Sequence, residues 1–190
     1  MSKKEQIPYK YYNYNFKNIA FYQNKTTYNI FIYKDMMREI KIKSSILNIP
    51  FGIEDYNNKK IINLELFNIK SNNEVYKMYS QIKSIELFFE NFLKNCNIIK
   101  RDLPNNLLND IKNKSFISCI KDRENSNALF RVHIKKIKKK YLTVFKKKNK
   151  EILYNNIKGN KGIFIICLKS LWISENNYGL IWSLDSGVLD

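Results

Sequence analysis

Two hydrophobic repeats constrain the fold of this chain more than any other sequence feature. Between residues 74 and 96 apolar side chains recur every three or four positions, which predicts an amphipathic helix of about six turns. Elsewhere apolar and polar residues alternate over short stretches, which is typical of half-buried β-strands. Strands are predicted over residues 28–33, 40–47, 61–67, 116–120, 129–137, 141–145, 163–168 and 179–184.

The order of these elements favours one fold class. Pro104 is placed to open a second, short helix that runs to Ile111. Many short strands with one long helix between them predict a mainly β domain with an inserted α-helix (α+β), built as an antiparallel barrel like the oligonucleotide-binding (OB) fold. The length of 190 residues predicts a single domain over residues 21–190. A Tyr- and Asn-rich arm, residues 1–20, is expected to precede it and to be partly ordered.

The charge of the chain is strongly unbalanced. Its 34 basic and 17 acidic residues give a formal net charge of +17, which favours a polyanionic partner such as nucleic acid. Abundant Lys, Asn, Ile, Tyr and Phe are also what an A+T-rich genome encodes, so the total charge does not separate function from codon bias. The distribution does, because residues 131–150 contain ten basic residues and no acidic one.

This basic segment, residues 131–150, is predicted to form a β-hairpin with lysines at and beside its turn. One strand would contain Val132 and Ile134, and the other Leu142 and Val144. Lysines beside phosphates release condensed counterions, and exposed aromatic rings stack on bases. The alternative interpretation is a lysine-rich edge that prevents aggregation. The candidate nucleic-acid contacts here are Arg131, Lys135, Lys136, Lys138, Lys139, Lys140, Tyr141, Phe145, Lys146 and Lys147.

The sequence lacks the residues that a metal site or a membrane span needs. Cys96, Cys119 and Cys167 are widely spaced among apolar residues, which predicts reduced core thiols in an intracellular protein. His133 is the single histidine, too few for a zinc site or a thiol–histidine dyad, and we interpret it as an ordinary strand residue. We expect neither metal nor cofactor. The longest apolar run, 163–168, is far shorter than the roughly 20 residues that span a bilayer, so we expect a soluble protein.

The sequence also disfavours catalysis. Glu54, Asp55 and Glu65 flank one predicted hairpin, but the lysine that follows in the common metal-dependent nuclease pattern is missing. Neither common glycine-rich phosphate-binding motif occurs. We therefore expect a protein that is not an enzyme.

The C-terminal part carries a second, aromatic-rich segment. After Lys158-Gly159 come the apolar strand over 163–168, then Leu171-Trp172-Ile173, then Tyr178-Gly179-Leu180 and Trp182. Together with the basic segment, this order resembles the single-stranded-DNA-binding proteins of large nucleocytoplasmic DNA viruses, which are related to those of T7-like phages. The resemblance covers roughly residues 127–184, and Pro50-Phe51-Gly52 is similar to a further segment of the viral proteins.

The resemblance implies an OB barrel that coats single-stranded DNA during viral replication, recombination or repair, in the host cytoplasm or a viral factory. It adds Trp172, Tyr178 and Trp182 to the candidate contacts, although a tryptophan on an apolar strand is also typical of a core. The phage-type proteins end in a strongly acidic tail that recruits replication proteins. This chain has only Asp185 and Asp190 after Leu184, so the sequence does not support recruitment through such a tail.

We therefore predict sequence-tolerant binding of single-stranded DNA, with RNA as a further ligand and replication proteins and other copies of the chain as partners. Residues 131–148 would contact phosphates, and Tyr141, Phe145 and Trp182 would stack on bases. A basic virion or architectural protein that packs duplex nucleic acid is the first alternative, and a metal-dependent nuclease is the second. Preference for single over double strands separates the first two, and Mg²⁺-dependent cleavage would identify the third.

Overall fold

The computed structural model describes residues 19–24, 27–32, 39–94, 107–137 and 140–190. It contains two α-helices, α1 (Asn73–Lys94) and α2 (Leu107–Ile111), and a turn of 3-10 helix at Tyr154–Asn156. The strands are β1 (Ile19–Asn24), β2 (Thr27–Ile32), β3 (Ile40–Lys43), β4 (Leu47–Asn48), β5 (Ile53–Tyr56), β6 (Lys59–Leu66), β7 (Ser115–Ile117), β8 (Ile120–Arg123), β9 (Ser126–Ile134), β10 (Lys136–Ile137), β11 (Lys140–Tyr141), β12 (Val144–Lys147), β13 (Lys150–Ile152), β14 (Lys161–Ile173) and β15 (Asn177–Leu189).

Five of these strands close into a barrel. Strand β4 pairs with β6, β6 with β9, β9 with β15, β15 with β14, and β14 returns to β4. Only the β9–β15 pairing is parallel. If β4, β6, β9, β14 and β15 are numbered 1 to 5 in chain order, their order around the barrel is 1-2-3-5-4, and strand 4 pairs with strand 1. The predicted mainly β fold, a closed OB-like barrel with an inserted helix, is confirmed.

Alternating burial explains why these sequences form barrel strands. On β6, Ile62, Leu64 and Leu66 are buried in the core, and on β9 Phe130 and Val132 face them across the ladder. Each fully buried side chain of this kind contributes roughly 1.5–3 kcal/mol relative to an exposed one. The residues between them point outward, so the outer surface of β6 and β9 is free to carry polar groups.

Helix α1 lies between β6 and β9 in the chain and agrees with the predicted helix over residues 74–96. Asn72 caps its first turn, because the Val75 amide donates to the Asn72 side-chain oxygen at 3.2 Å. The helix ends at Lys94 within the described residues, and Cys96 lies outside them. Its buried face joins the core of the domain through Val75, Met78, Ile82, Ile85, Phe89 and Leu93.

A buried carboxylate on α1 also forms hydrogen bonds with the segment between β7 and β8. Glu86 is 3% exposed and accepts hydrogen bonds from the Ser118 hydroxyl at 2.6 Å and the Cys119 amide at 2.7 Å. Burial, followed by the adjacent Glu86 charge, raises the pKa of the Cys119 thiol well above its usual value. Cys167 is buried and Cys119 is half-buried, and both are free thiols, while Cys96 lies outside the described residues. None of the described helices is long and apolar enough to cross a membrane.

The predicted hairpin of the basic segment is confirmed only beside its turn, and the longer strands predicted for it do not pair with each other. Strands β9 and β12 do not pair with each other; each pairs in parallel with β15. Only Lys136–Ile137 and Lys140–Tyr141 pair, as a short two-stranded ribbon, β10–β11. The reason is that β9 pairs with β15 in the barrel and β12 pairs with a later part of β15, which leaves only Lys136–Ile137 and Lys140–Tyr141 to pair with each other.

Other strand boundaries also differ from the predictions. Strands β14 and β15 extend over 13 residues each, because two register shifts let one long ladder bend around the barrel. The predicted strand over 40–47 is split into β3 and β4, which pair with separate parts of β14. The second helix starts at Leu107, while Pro104 lies outside the described residues. So does the arm up to residue 18, whereas Ile19 and Ala20 already belong to β1.

Candidate nucleic-acid interface

A basic cleft of about 390 Å³ lies where the barrel meets β2 and the β10–β11 ribbon. Its lining combines positive, neutral hydrogen-bonding and aromatic side chains with three isoleucines, Ile134, Ile137 and Ile181. No Asp or Glu among the described residues is part of the lining. The positive groups are Lys59, Lys60, Lys135, Lys136 and Lys169, the neutral polar ones are Thr27, Asn29, His133, Ser170 and Ser183, and the aromatic one is Tyr141.

The β10–β11 ribbon holds Lys136 and Tyr141 over one side of the cleft. These two residues are register partners, and the Lys136 ammonium lies 5.0 Å from the centroid of the Tyr141 ring. Thr143 anchors the base of the ribbon: its hydroxyl accepts from the Lys135 amide at 2.9 Å and donates to the Leu184 carbonyl at 2.6 Å. The ring of Tyr141 is therefore carried on a segment that is tied to strand β15.

The cleft lysines differ in how their charges are compensated. The Lys135 ammonium lies 2.5 Å from Asp185, and the Lys169 ammonium lies 3.1 Å from Glu39. Lys60 pairs with Asp55 at 3.2 Å. Lys59 and Lys136 have no carboxylate of the described residues within ion-pair distance, so their charges are available to an anion.

His133 also lines this cleft. In the barrel it pairs with Ile61 on one side and Ser183 on the other. Burial, together with the positive charges of Lys59 and Arg131, lowers the pKa of His133 to about 4. At neutral pH it is therefore an uncharged hydrogen-bonding group among lysines. The prediction of an ordinary strand residue identified the strand but missed the cleft.

Arg131 extends the basic surface along the outer face of β9. Its guanidinium lies 4.7 Å from the centroid of the Tyr56 ring, and Tyr56 is 45% exposed. The buried Arg131 Nε has no hydrogen-bond partner, and no ion pair involves this side chain within the described part of the chain. Arg131 therefore presents a stacked, always charged fork of donors that suits a phosphate.

Tyr56 was missed by sequence reasoning. It ends β5, and the turn at Asn57 and Asn58, both with positive φ, places it opposite Lys59. The available signal was the Asn-Asn pair between two short alternating stretches, which favours a tight hairpin turn. That turn puts Tyr56 on the same outer face as Arg131.

The remaining predicted contacts fall in several places. Lys135, Lys136 and Tyr141 line the cleft, and Lys140 is exposed on β11. Lys138 and Lys139 lie outside the described residues. The other predicted contacts do not line the cleft: Lys146 is exposed on β12, Lys147 bonds to Asn160 at 2.7 Å, and Trp172 is half-buried on β14.

Three predicted aromatic contacts, of which Phe145 and Trp182 were expected to stack on bases, are wrong because their side chains belong to the core. Phe145 is 1% exposed, and Tyr178 and Trp182 are 0% exposed. They pack edge-on against other rings of the domain, with centroid distances of 5.4 to 5.8 Å. Phe145 lies between the half-buried Val144 and the exposed Lys146 and faces inward, whereas Tyr178 and Trp182 each lie in a stretch of β15 with three consecutive buried residues. The partners of Phe145, Tyr178 and Trp182 are Tyr154, Phe116 and Phe130.

The three carboxylates considered for catalysis are each held by a different partner. Glu54 accepts from the Asn63 amide at 2.5 Å, and Asp55 pairs with Lys60. Glu65 accepts from the Asn48 side chain at 2.9 Å. The described residues contain no group of three or more His, Cys, Asp or Glu side chains placed to hold a metal ion.

Neither a protein-family model nor the sequence of a curated protein matches this chain. By its fold, the protein is a closed, OB-like barrel with an inserted helix. The lysine-lined cleft described above lies on this domain.

Proposed function

We propose that this protein binds single-stranded nucleic acid, with single-stranded DNA as its main ligand, and that it does so without strong sequence preference. One observation carries the proposal: a single cleft of this OB-like barrel is lined by five lysines and the ring of Tyr141, and by no Asp or Glu of the described residues. OB barrels bind oligonucleotides or oligosaccharides on the face of their second and third strands, here β6 and β9.

The chemistry of the lining suits an unpaired strand. Lysines neutralise phosphates and release counterions, and this interaction carries no sequence information. An aromatic ring gains from stacking only where a base exposes its face, which a duplex does not offer. Arg131 and Tyr56 continue the surface beyond the cleft with a second cation and a second exposed ring.

A role in viral DNA replication, recombination or repair is the biological part of the proposal. It is supported by the resemblance of residues 127–184 to viral single-stranded-DNA-binding proteins and by the OB-like barrel. Replication proteins and further copies of the chain are the partners that such a role would involve.

One feature favours the alternative, a basic protein that packs duplex nucleic acid. Strands β12 and β13 form a hairpin that exposes Lys146, Lys148 and Lys150 away from the cleft lining. These lysines offer charge without an exposed aromatic ring beside them. A protein that acts through this hairpin alone would bind duplex and single strands alike.

The deciding experiment compares fluorescence anisotropy titrations with a labelled single-stranded 20-mer, the same sequence as RNA, and its DNA duplex, at matched salt. We expect at least tenfold preference for the single strands. A Lys59→Ala/Lys136→Ala variant should lower the salt slope of single-strand binding by about 1.4, from 0.7 for each lost phosphate contact. The matched control is Lys70→Ala/Lys121→Ala, which removes two exposed lysines outside the cleft lining. Equal binding of duplex and single strands would favour the packing protein instead.

A further inference from the structure

A chain of alternating charges lies behind the cleft. The Lys169 ammonium is 3.1 Å from Glu39, and the Lys41 ammonium is 3.7 Å from Glu39 and 3.5 Å from Asp185. Asp185 in turn lies 2.5 Å from the Lys135 ammonium. The two end members, Lys169 and Lys135, line the cleft, whereas neither carboxylate does. Both carboxylates therefore act on the cleft through its own lysines.

The backbone is shaped to form this chain. The β14–β15 ladder contains two register shifts, one of which leaves Lys169 without a partner on β15, while the other leaves Asp185 without a partner on β14. Such bulges change the direction of a side chain and are frequent beside functional sites. Both bulge residues are members of the charge chain, so two independent irregularities of one ladder serve the same cluster.

Both carboxylates are ionised at neutral pH. Burial alone would raise the pKa of Asp185, but the hydrogen bond and charge of Lys135, with the charge of Lys41, lower it overall. Burial likewise opposes ionisation of Glu39, and Lys169, Lys135 and Lys41 together lower its pKa. The five groups therefore carry three positive and two negative charges, a net charge of +1.

We propose that Glu39 and Asp185 are built-in competitors of the phosphate ligand, which hold Lys169 and Lys135 in the free protein and thereby weaken binding and speed release. The inference rests on the proposed function. A phosphate that approaches Lys135 must share the ammonium with Asp185 or displace it, and it is repelled by the carboxylate in either case. Pairing also orders the lysine side chains before the ligand arrives, which favours binding. Repulsion by the two carboxylates acts on every nearby phosphate of a polyanion and outweighs that gain.

The test uses the full chain with Asp185→Asn and Glu39→Gln, which keep the shape and most hydrogen bonds of the side chains. Affinity and dissociation rate are measured for a labelled single-stranded 20-mer by anisotropy and stopped flow. A second ligand, inorganic tripolyphosphate, is titrated by calorimetry because it reports on the cleft without nucleic acid. The control is Glu124→Gln, an exposed turn residue that gives the same change in net charge.

We expect each variant to bind both ligands three- to tenfold more tightly than the parent, with slower dissociation of the 20-mer, while Glu124→Gln changes binding less than twofold. Unchanged or weaker binding in both folded variants would overturn the inference, since the carboxylates would then only position the lysines. If the parent binds tripolyphosphate but no oligonucleotide, the proposed function fails and the tripolyphosphate data still decide the competition. If the parent binds neither ligand, both proposals fail. Thermal melts identify a variant that does not fold, in which case the variant at the other carboxylate decides.

Discussion

The rings of Tyr141 and Phe145 both pack edge-on against the ring of Tyr154, with centroids 6.1 and 5.7 Å away. Only Tyr141 lines the cleft, because Phe145 points into the core and is 1% exposed. Two aromatic residues four positions apart, each next to one lysine, thus have different surroundings. One is available to a ligand, and the other supports the barrel.

This difference predicts opposite effects of two alanine substitutions. Tyr141→Ala should weaken binding of a single-stranded 20-mer by roughly 1–3 kcal/mol, through the lost stacking surface, and leave duplex binding nearly unchanged. Phe145→Ala should instead lower the free energy of unfolding by roughly 3–5 kcal/mol, since it empties part of a packed core. Anisotropy titrations and urea unfolding measure the two effects. Tyr141→Phe is the control that keeps the ring, and loss of binding in that variant would contradict the stacking role.

A second prediction concerns Arg131 and Tyr56. Arg131→Lys keeps the charge but removes the planar fork and its stacking on the Tyr56 ring. We expect single-strand affinity to fall about three- to tenfold. This is less than the roughly 1.5–3 kcal/mol of a whole charged hydrogen bond, because only part of the interaction is lost. Tyr56→Ala should have a similar effect, and the double variant should add little to either single one because the two side chains act together. Fully additive losses would show that Arg131 and Tyr56 act independently.

Much of the fold could be predicted from the sequence, since each successful prediction depends on local periodicity. Helix α1 has a repeat of three to four residues over its whole length, and β6 alternates regularly. The sequence also identified the basic segment that supplies Lys135, Lys136 and Tyr141 to the cleft. Local patterns define which face of an element is apolar, and this is enough to place the core.

The cleft as a whole could not be predicted, because it is assembled from distant parts of the chain. Lys59 and Lys60 come from the start of β6, Thr27 from β2 and Lys169 from a bulge in β14. No sequence pattern reports that these positions meet. The side on which an aromatic residue lies is also set by tertiary pairing: Trp182 is on a strand whose neighbours bury it against Phe130.

We predict that a side chain at position 179 destabilises the fold for steric reasons. A Cβ atom at this position would lie 2.6 Å from the Ile117 carbonyl oxygen and 2.9 Å from Trp172 Nε1. Gly179→Ala should therefore lower the free energy of unfolding by roughly 1–3 kcal/mol, the usual cost of overpacking. Gly159→Ala is the comparison, because it meets no atom within 4 Å and has only the strain of φ +76°. Urea unfolding should show the larger loss for Gly179→Ala; a smaller loss would mean that β7 moves aside easily.

The last prediction uses the single histidine of the chain as a probe of the charge in the cleft. Burial first, and then the charges of Lys59 and Arg131, lower the pKa of His133 from 6.5 to about 4 in the folded protein. Between these two pH values the unfolded chain binds a proton that the folded chain does not. The contribution of neutral His133 to stability is therefore complete above pH 6.5 and is lost as the pH falls through about 4.

Urea unfolding of the parent and of His133→Asn between pH 7 and pH 4 isolates this contribution, because carboxyl groups titrate alike in both proteins. The stability of the parent relative to the variant should fall by roughly 1–3 kcal/mol across that range, somewhat less than the full pKa difference since the ring is only partly buried. A bound polyanion should reduce this loss, because phosphates beside Lys59 and Arg131 offset the charges that disfavour protonation. Single-strand affinity of the parent should accordingly rise as the pH falls towards about 4, more than that of His133→Asn. If the two proteins show the same pH dependence in both measurements, His133 does not sense the charge of the cleft, and the phosphates bind elsewhere on the barrel.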